Sequence, residues 1–129
     1  MFSSCLEMGE GYENLLSYLE GELGDRVRAV GTYTEDGYNA IYVRDDVSEE
    51  FTRDEIEEIH HEMVLKGLGS QRIEALFNDE SLNCSIYQFE NIVRLHFVHE
   101  DYRGYYVSFD YNPGTNTHKI VERCREIVE

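Results

Sequence analysis

The stretch Leu82-Asn-Cys-Ser-Ile-Tyr-Gln-Phe-Glu-Asn-Ile-Val-Arg-Leu-His-Phe97, continued by Gly104-Tyr-Tyr-Val-Ser-Phe-Asp110, decides the fold. Leu82, Cys84 and Ile86 alternate with polar positions, Glu90-Asn91 is a turn, and Val93, Leu95 and Phe97 alternate again. After His99 to Gly104, the residues Tyr105, Val107 and Phe109 repeat the same period. Alternation of this kind puts successive side chains on opposite faces of a strand, so the stretch predicts three antiparallel strands joined by turns.

Working outward, Asn112-Pro113-Gly114 breaks the chain, and a last helix runs from about Thr117 to Val128 with Ile120, Val121, Cys124, Ile127 and Val128 suited to packing on a sheet. Upstream, Thr52 with Glu55 forms a capping-box pattern, and Phe51 with Ile56 a hydrophobic staple. The helix they open has a buried stripe of Ile56, Ile59 and Met63, and Gly67 is read as its end. Ser70 then caps a second, short helix with Ile73, Leu76 and Phe77 inward and Asn78 after it. Before these come two strands. Arg26 to Tyr33 puts Val27 and Ala29 on one face, Glu35-Asp36-Gly37 is the hairpin turn, and Asn39 to Arg44 has Ile41 and Val43 in phase. Tyr12, Leu15, Leu16, Leu19 and Leu23 mark a first helix over residues 11–23, ended near Gly24. The predicted order is α-β-β-α-α-β-β-β-α. That is an α+β domain spanning 1–129, with a five-stranded antiparallel sheet whose two strand blocks meet in the middle and helices on at least one face.

The charge balance describes the solvent. Asp and Glu number 27 against 11 Lys and Arg, for a net charge of −16, and the lysines are only Lys66 and Lys119. Such a surface repels itself in dilute buffer. At about 1 M salt the Debye length falls to roughly 3 Å and the repulsion fades. The balance fits the cytoplasm of a salt-accumulating organism and opposes binding to nucleic acid or an anionic membrane. No apolar run is long enough for a membrane span, and Met1 to Glu10 shows no export signal. Cys5, Cys84 and Cys124 form no close pair and read as reduced thiols, with Cys84 and Cys124 in apolar phase.

Few constellations suggest chemistry. Glu57, Glu58, His60 and His61 contain two overlapping Glu-x-x-His spacings, as di-iron carboxylate sites do. Such a site needs a second copy on a facing helix, and the sequence has none, so an acidic solvated helix face is the plainer reading. His96 and His99 fall on opposite faces of a regular strand. No nucleophile elbow, phosphate loop or calcium loop is present. The residues imply no cofactor, no metal and no catalytic set. The aromatics are more informative. Tyr42, Tyr87, Phe89, His96 and Tyr106 are out of phase with the apolar strand positions and predict a second, aromatic sheet face. If open, that face is an interface. If helices cover it, the same residues are ordinary core.

The layout of 84–97 and 104–110 resembles the roadblock and dynein-light-chain superfamily, a profilin-like fold. Ala29-Val-Gly-Thr-Tyr-Thr34, Tyr42-Val-Arg-Asp-Asp46 and Lys66-Gly-Leu-Gly69 resemble small haloarchaeal proteins of unassigned function. The first resemblance implies a dimeric platform, of the kind that binds small GTPases, and no catalytic residues. The reading these features favour is a non-enzymatic protein-interaction or scaffold module, homodimeric, in a halophilic archaeon. A small-molecule-sensing domain is the alternative and requires a cavity with convergent polar groups. A metal-dependent enzyme using Glu57, Glu58, His60 and His61 is the third.

Overall fold

The computed structural model describes residues 2–100 and 102–128, with side chains for 11–99 and 102–128. Helix α1 (Phe2–Leu23) stops where Gly24 takes φ +61°, and a 3₁₀ turn (Gly24–Arg26) leads into strand β1 (Val27–Thr34). A left-handed residue is the usual end of a helix, and glycine reaches it without a Cβ clash. Strand β2 (Gly37–Val43), a single helical turn α2 (Asp45–Ser48) and the long helix α3 (Arg53–Leu76) follow. Strands β3 (Ser85–Gln88), β4 (Ile92–Glu100) and β5 (Arg103–Asp110) form the meander, and α4 (Thr117–Val128) ends the chain.

The sheet is five-stranded with order β2-β1-β5-β4-β3, antiparallel throughout. The two strand blocks join through β1 and β5, in the middle, as the sequence predicts. Helices α1 and α4 cover one face. Tyr12, Leu15, Leu19 and Leu23 from α1 and Ile120, Val121 and Cys124 from α4 pack on Val30, Leu95, Val107 and Phe109. Leu15 and Leu19 are fully buried, and each contributes about 2 kcal/mol of apolar transfer.

Bulges change the phase of the first hairpin. Val27 pairs with Phe109 and Ala29 with Ser108, so Arg28 is an extra residue in β1. Val30 pairs with Tyr42 and Gly31 with Ala40, so Ile41 is an extra residue in β2. Each insertion reverses the alternation beyond it. Val27 therefore shares the core with Val30, not with Ala29. Ile41 and Tyr42 both pack against the core on the α1/α4 side, and Val43 goes to the other face with its partner Ala29.

Helix α3 covers that second face. Its start follows the predicted capping box: Glu55 N–H donates to Thr52 Oγ1 (3.2 Å) and Thr52 N–H donates to Glu55 Oε1 (2.8 Å). It does not stop at Gly67. The helix is continuous to Leu76, because Gly67 keeps helical geometry and lies against Tyr33 and Val98 of the sheet. The expected second helix is thus the end of α3. Ile59, expected buried, is 41% exposed, and Ile73, Leu76 and Phe77, expected inward, are 48, 62 and 67% exposed, since one continuous helix turns a single face, that of Gly67 and Ser70, to the sheet.

Candidate functional site

Strand register arranges the α3 side of the sheet in three rows. The row nearest Gly67 holds Val98, Gly104, Tyr33 and Tyr38. The middle row holds Ser85, His96, Tyr106, Gly31 and Ala40. The third holds Tyr87, Arg94, Ser108, Ala29 and Val43. Tall residues in the first row prop the helix. Gly67 rests on Tyr33 and Val98, and His60 Nε2 lies 2.6 Å from the Thr34 carbonyl oxygen, its ring beside Tyr33 and Tyr38. Beyond that prop the floor is set by the short side chains of Ala40, Ala29 and Ser108. A cavity of about 620 Å³ results, within the range of small-molecule pockets, about 300–1,000 Å³. Val47, Phe51, Ile56, Ile59 and Met63 form its apolar roof.

Aromatic rings overlie two glycines of the sheet. A Cβ on Gly31 would stand 2.2 Å from Tyr106 Oη, and one on Gly104 would stand 2.6 Å from Tyr33 Oη. Tyr33 Oη and His96 Nε2 share a hydrogen bond of 2.5 Å. Burial holds the His96 ring neutral, with its pKa down at about 4, and pushes the phenols of Tyr33 and Tyr106 up. Burial likewise pushes the thiols of Cys84 and Cys124 up to about 12.

Two arginines reach the cavity from the sheet. Arg28, on the bulge, is matched. Its Nη2 donates to Glu50 Oε2 (2.7 Å) and its Nη1 to Asp110 Oδ1 (3.4 Å). Asp110 also accepts from Arg44 Nη1 (2.7 Å), which holds its carboxyl below the usual carboxylate range. Arg44 reaches Asp46 as well (2.6 Å). Arg94 is not matched. Its Nε is buried without a hydrogen-bond partner, and among the described residues no carboxylate pairs with it. Its guanidinium lies 5.3 Å from the centre of the Phe89 ring. Burial first, and then Arg28, lower its pKa.

Of the five aromatic-face residues expected from phase, Tyr87, His96 and Tyr106 line the cavity. Phe89 pairs with Arg94 at the β3–β4 turn and is 53% exposed. Tyr42 lies on the opposite face, moved there by the Ile41 bulge. In the Glu57, Glu58, His60 and His61 group, His60 turns down onto the β1–β2 hairpin. Among the described residues no three His, Cys, Asp or Glu side chains are placed to hold a metal. Arg94 was the residue missed. Its signal was present, because it stands two residues before His96 and shares its phase.

A family model described as a domain of unknown function (DUF7522) matches residues 13–129. The chain belongs to the DUF7522 family. No curated protein matches it significantly. Among the described residues of this DUF7522 domain, no helix is long and apolar enough to cross a membrane. The matched span contains all five strands, α3 and every residue of the cavity.

Proposed function

We propose that this DUF7522 domain is a non-enzymatic module that binds a small molecule between α3 and the sheet. The observation that carries this reading is the cavity itself, with apolar walls and a few polar groups converging on its floor. The protonation states support binding over turnover. His96 is neutral and the Tyr106 phenol is pushed up by burial, so neither is poised to exchange a proton near neutral pH. The test is titration with N-phenylnaphthylamine, a neutral dye that brightens in apolar surroundings. Saturable one-to-one binding is expected, and Ala40→Phe, which fills the floor, abolishes it. A dye that ignores the native protein, or binds Ala40→Phe equally well, removes the reading.

A second reading, a homodimeric interaction module in the cytoplasm of a salt-accumulating archaeon, draws support from a different surface. Leu65, Ile73 and Leu76 on α3 and Phe77 at its C-cap are 46 to 67% exposed, an apolar stripe of the kind that marks contact sites. Light scattering in about 1 M KCl, where self-repulsion is screened, tests it: a dimer that Leu76→Glu dissociates supports it, and a strict monomer ends it.

A further inference from the structure

We infer that the ligand of the α3 cavity is an apolar molecule bearing a single carboxylate, and that Arg94 reads that carboxylate. The inference rests on the small-molecule reading above and adds the ligand's chemistry.

It begins from an anomaly of charge. Acids outnumber bases 27 to 11 in this chain, and neighbouring arginines are well supplied with acids. Arg28 holds Glu50 and Asp110, and Arg44 holds Asp110 and Asp46. Arg94 stands in the same cavity, with Nε buried and empty of partners. Burying a donor without an acceptor is costly, and a guanidinium more so. Glu50, whose charge acts on Arg94 and opposes the lowering of its pKa, is committed to Arg28 at 2.7 Å. A cation left in this state within a ligand-sized cavity awaits an acceptor from outside the chain.

The surroundings define that acceptor. Across the ladders Arg94 is flanked by Tyr87 on β3 and Ser108 on β5, two hydroxyl side chains that also line the cavity. A guanidinium presents a planar fork that fits the two oxygens of a carboxylate. The rest of the wall is apolar, with Ala29, Val43, Val47, Phe51, Ile56 and Met63, so the body of the ligand is hydrocarbon or aromatic. The α3 rim limits its charge. Glu55, Glu58 and Glu62 line that side with Lys66, and the Glu55 carboxylate is tied to the cap. His60, His96, Tyr38 and Tyr106 line the cavity as well. Glu58 and Glu62, within a chain of net charge −16, repel a second or third negative charge. Polyphosphates and tricarboxylates are therefore poor fits, and a monoanion seated on Arg94 is a good one.

Competition against bound N-phenylnaphthylamine, in about 1 M KCl, tests this with a matched pair, phenylbutyrate and phenylbutanol. The carboxylate is expected to displace the dye at least about tenfold more effectively than the alcohol, and citrate is expected not to compete. Arg94→Gln reduces the pair to parity, with each competition read against the dye affinity measured for that same variant, and Arg94→Lys retains part of the preference. Arg94→Met serves the same purpose should Arg94→Gln fail to fold, and Arg123→Gln, remote from the cavity, keeps the full preference. Dye that binds while the pair competes equally on the native protein, a preference that survives loss of Arg94, or citrate that competes as well as phenylbutyrate overturns the inference and leaves the cavity reading standing. Dye that never binds the native protein overturns both.

Discussion

Tyr33 on β1 reaches His96 on β4 by laying its ring across Gly104 of the strand between them. Phenol and imidazole meet at 2.5 Å over a residue whose Cβ would stand 2.9 Å from Tyr33 Cε1 and 2.3 Å from the Phe97 carbonyl oxygen. Contacts under 3 Å with backbone cannot be relieved by turning a side chain. Gly104→Ala therefore lifts the ring, breaks the buried hydrogen bond and removes the prop under Gly67. The expected cost is about 2–3 kcal/mol of unfolding free energy, measured by urea denaturation. Tyr33→Phe, which loses the hydrogen bond but keeps the ring, costs less, about 1–2 kcal/mol. A Gly104→Ala protein as stable as the native one would show that the ring does not occupy that space.

His96 gives the domain an acid limit. Its ring is 5% exposed, and burial lowers its pKa from 6.5 to about 4. The unfolded chain therefore binds a proton there between pH 6.5 and 4 that the folded chain does not. Stability is full above about pH 6.5 and falls as the pH drops through this window, by about 1.4 kcal/mol per unit and about 3 kcal/mol in all. Asp110, whose carboxyl Arg44 and Arg28 hold low, adds its loss at more acid pH. The difference in unfolding free energy between the native protein and His96→Gln, followed from pH 7.5 to 4.5, isolates the histidine. It is expected to shrink with falling pH, because the glutamine protein has no buried imidazole to charge; a flat difference would mean that folding leaves the His96 pKa unshifted.

These residues show what the sequence could and could not disclose. The meander was legible because 84–97 and 104–110 alternate without interruption and their partners are consecutive strands. Helix ends were legible where they carry local chemistry, as at the Thr52 and Glu55 box and at Gly24. Gly67 looked like an equivalent stop and was not. Gly24 takes φ +61°, whereas Gly67 stays helical because the fold brings it against Tyr33 and Val98, a contact with no trace in the neighbouring sequence. The bulges at Arg28 and Ile41 were hidden for a related reason. A bulge is a property of two strands in register, and no single strand announces it. Tyr42 was misplaced by that one inserted residue, whereas Tyr87, His96 and Tyr106 lie where β3, β4 and β5 keep unbroken register, before the β4–β5 irregularity between Val98 and Glu100, and fell on the cavity face as their phase required.

Cys124 offers a clean reporter of global opening. It is fully buried between α4 and the sheet core, and burial pushes its thiol up to about 12. At pH 8 a free thiol near its ordinary pKa of about 8.5 is partly thiolate and reacts readily. Cys124 presents almost no thiolate and no access. Alkylation by iodoacetamide, located by mass spectrometry of the Cys124 peptide, is expected to proceed only as fast as the core opens and to accelerate with urea. Labelling of Cys124 at the rate of an unfolded peptide, in the absence of urea, would contradict its placement.

Salt dependence follows from the same charge imbalance that makes Arg94 conspicuous. Most acids of α3 lie on its outer side. Asp54, Glu57, Glu58, His61 and Glu62 enclose one acidic hollow, and among the described residues the ion pair on this helix face is the loose Arg53–Glu57 contact at 3.8 Å, with both side chains well exposed. An exposed pair of this kind contributes little, so repulsion along the helix is left to the solvent. Raising KCl from about 0.1 to 1 M shortens the Debye length from about 10 to 3 Å, which is less than the roughly 5–6 Å between side chains one helical turn apart. The thermal midpoint is expected to climb steeply over that range. Glu58→Gln with Glu62→Gln should raise the midpoint at low salt and flatten the climb, because two of the mutually repelling charges are gone. Parallel curves for the native and substituted proteins would place the salt effect elsewhere on the surface.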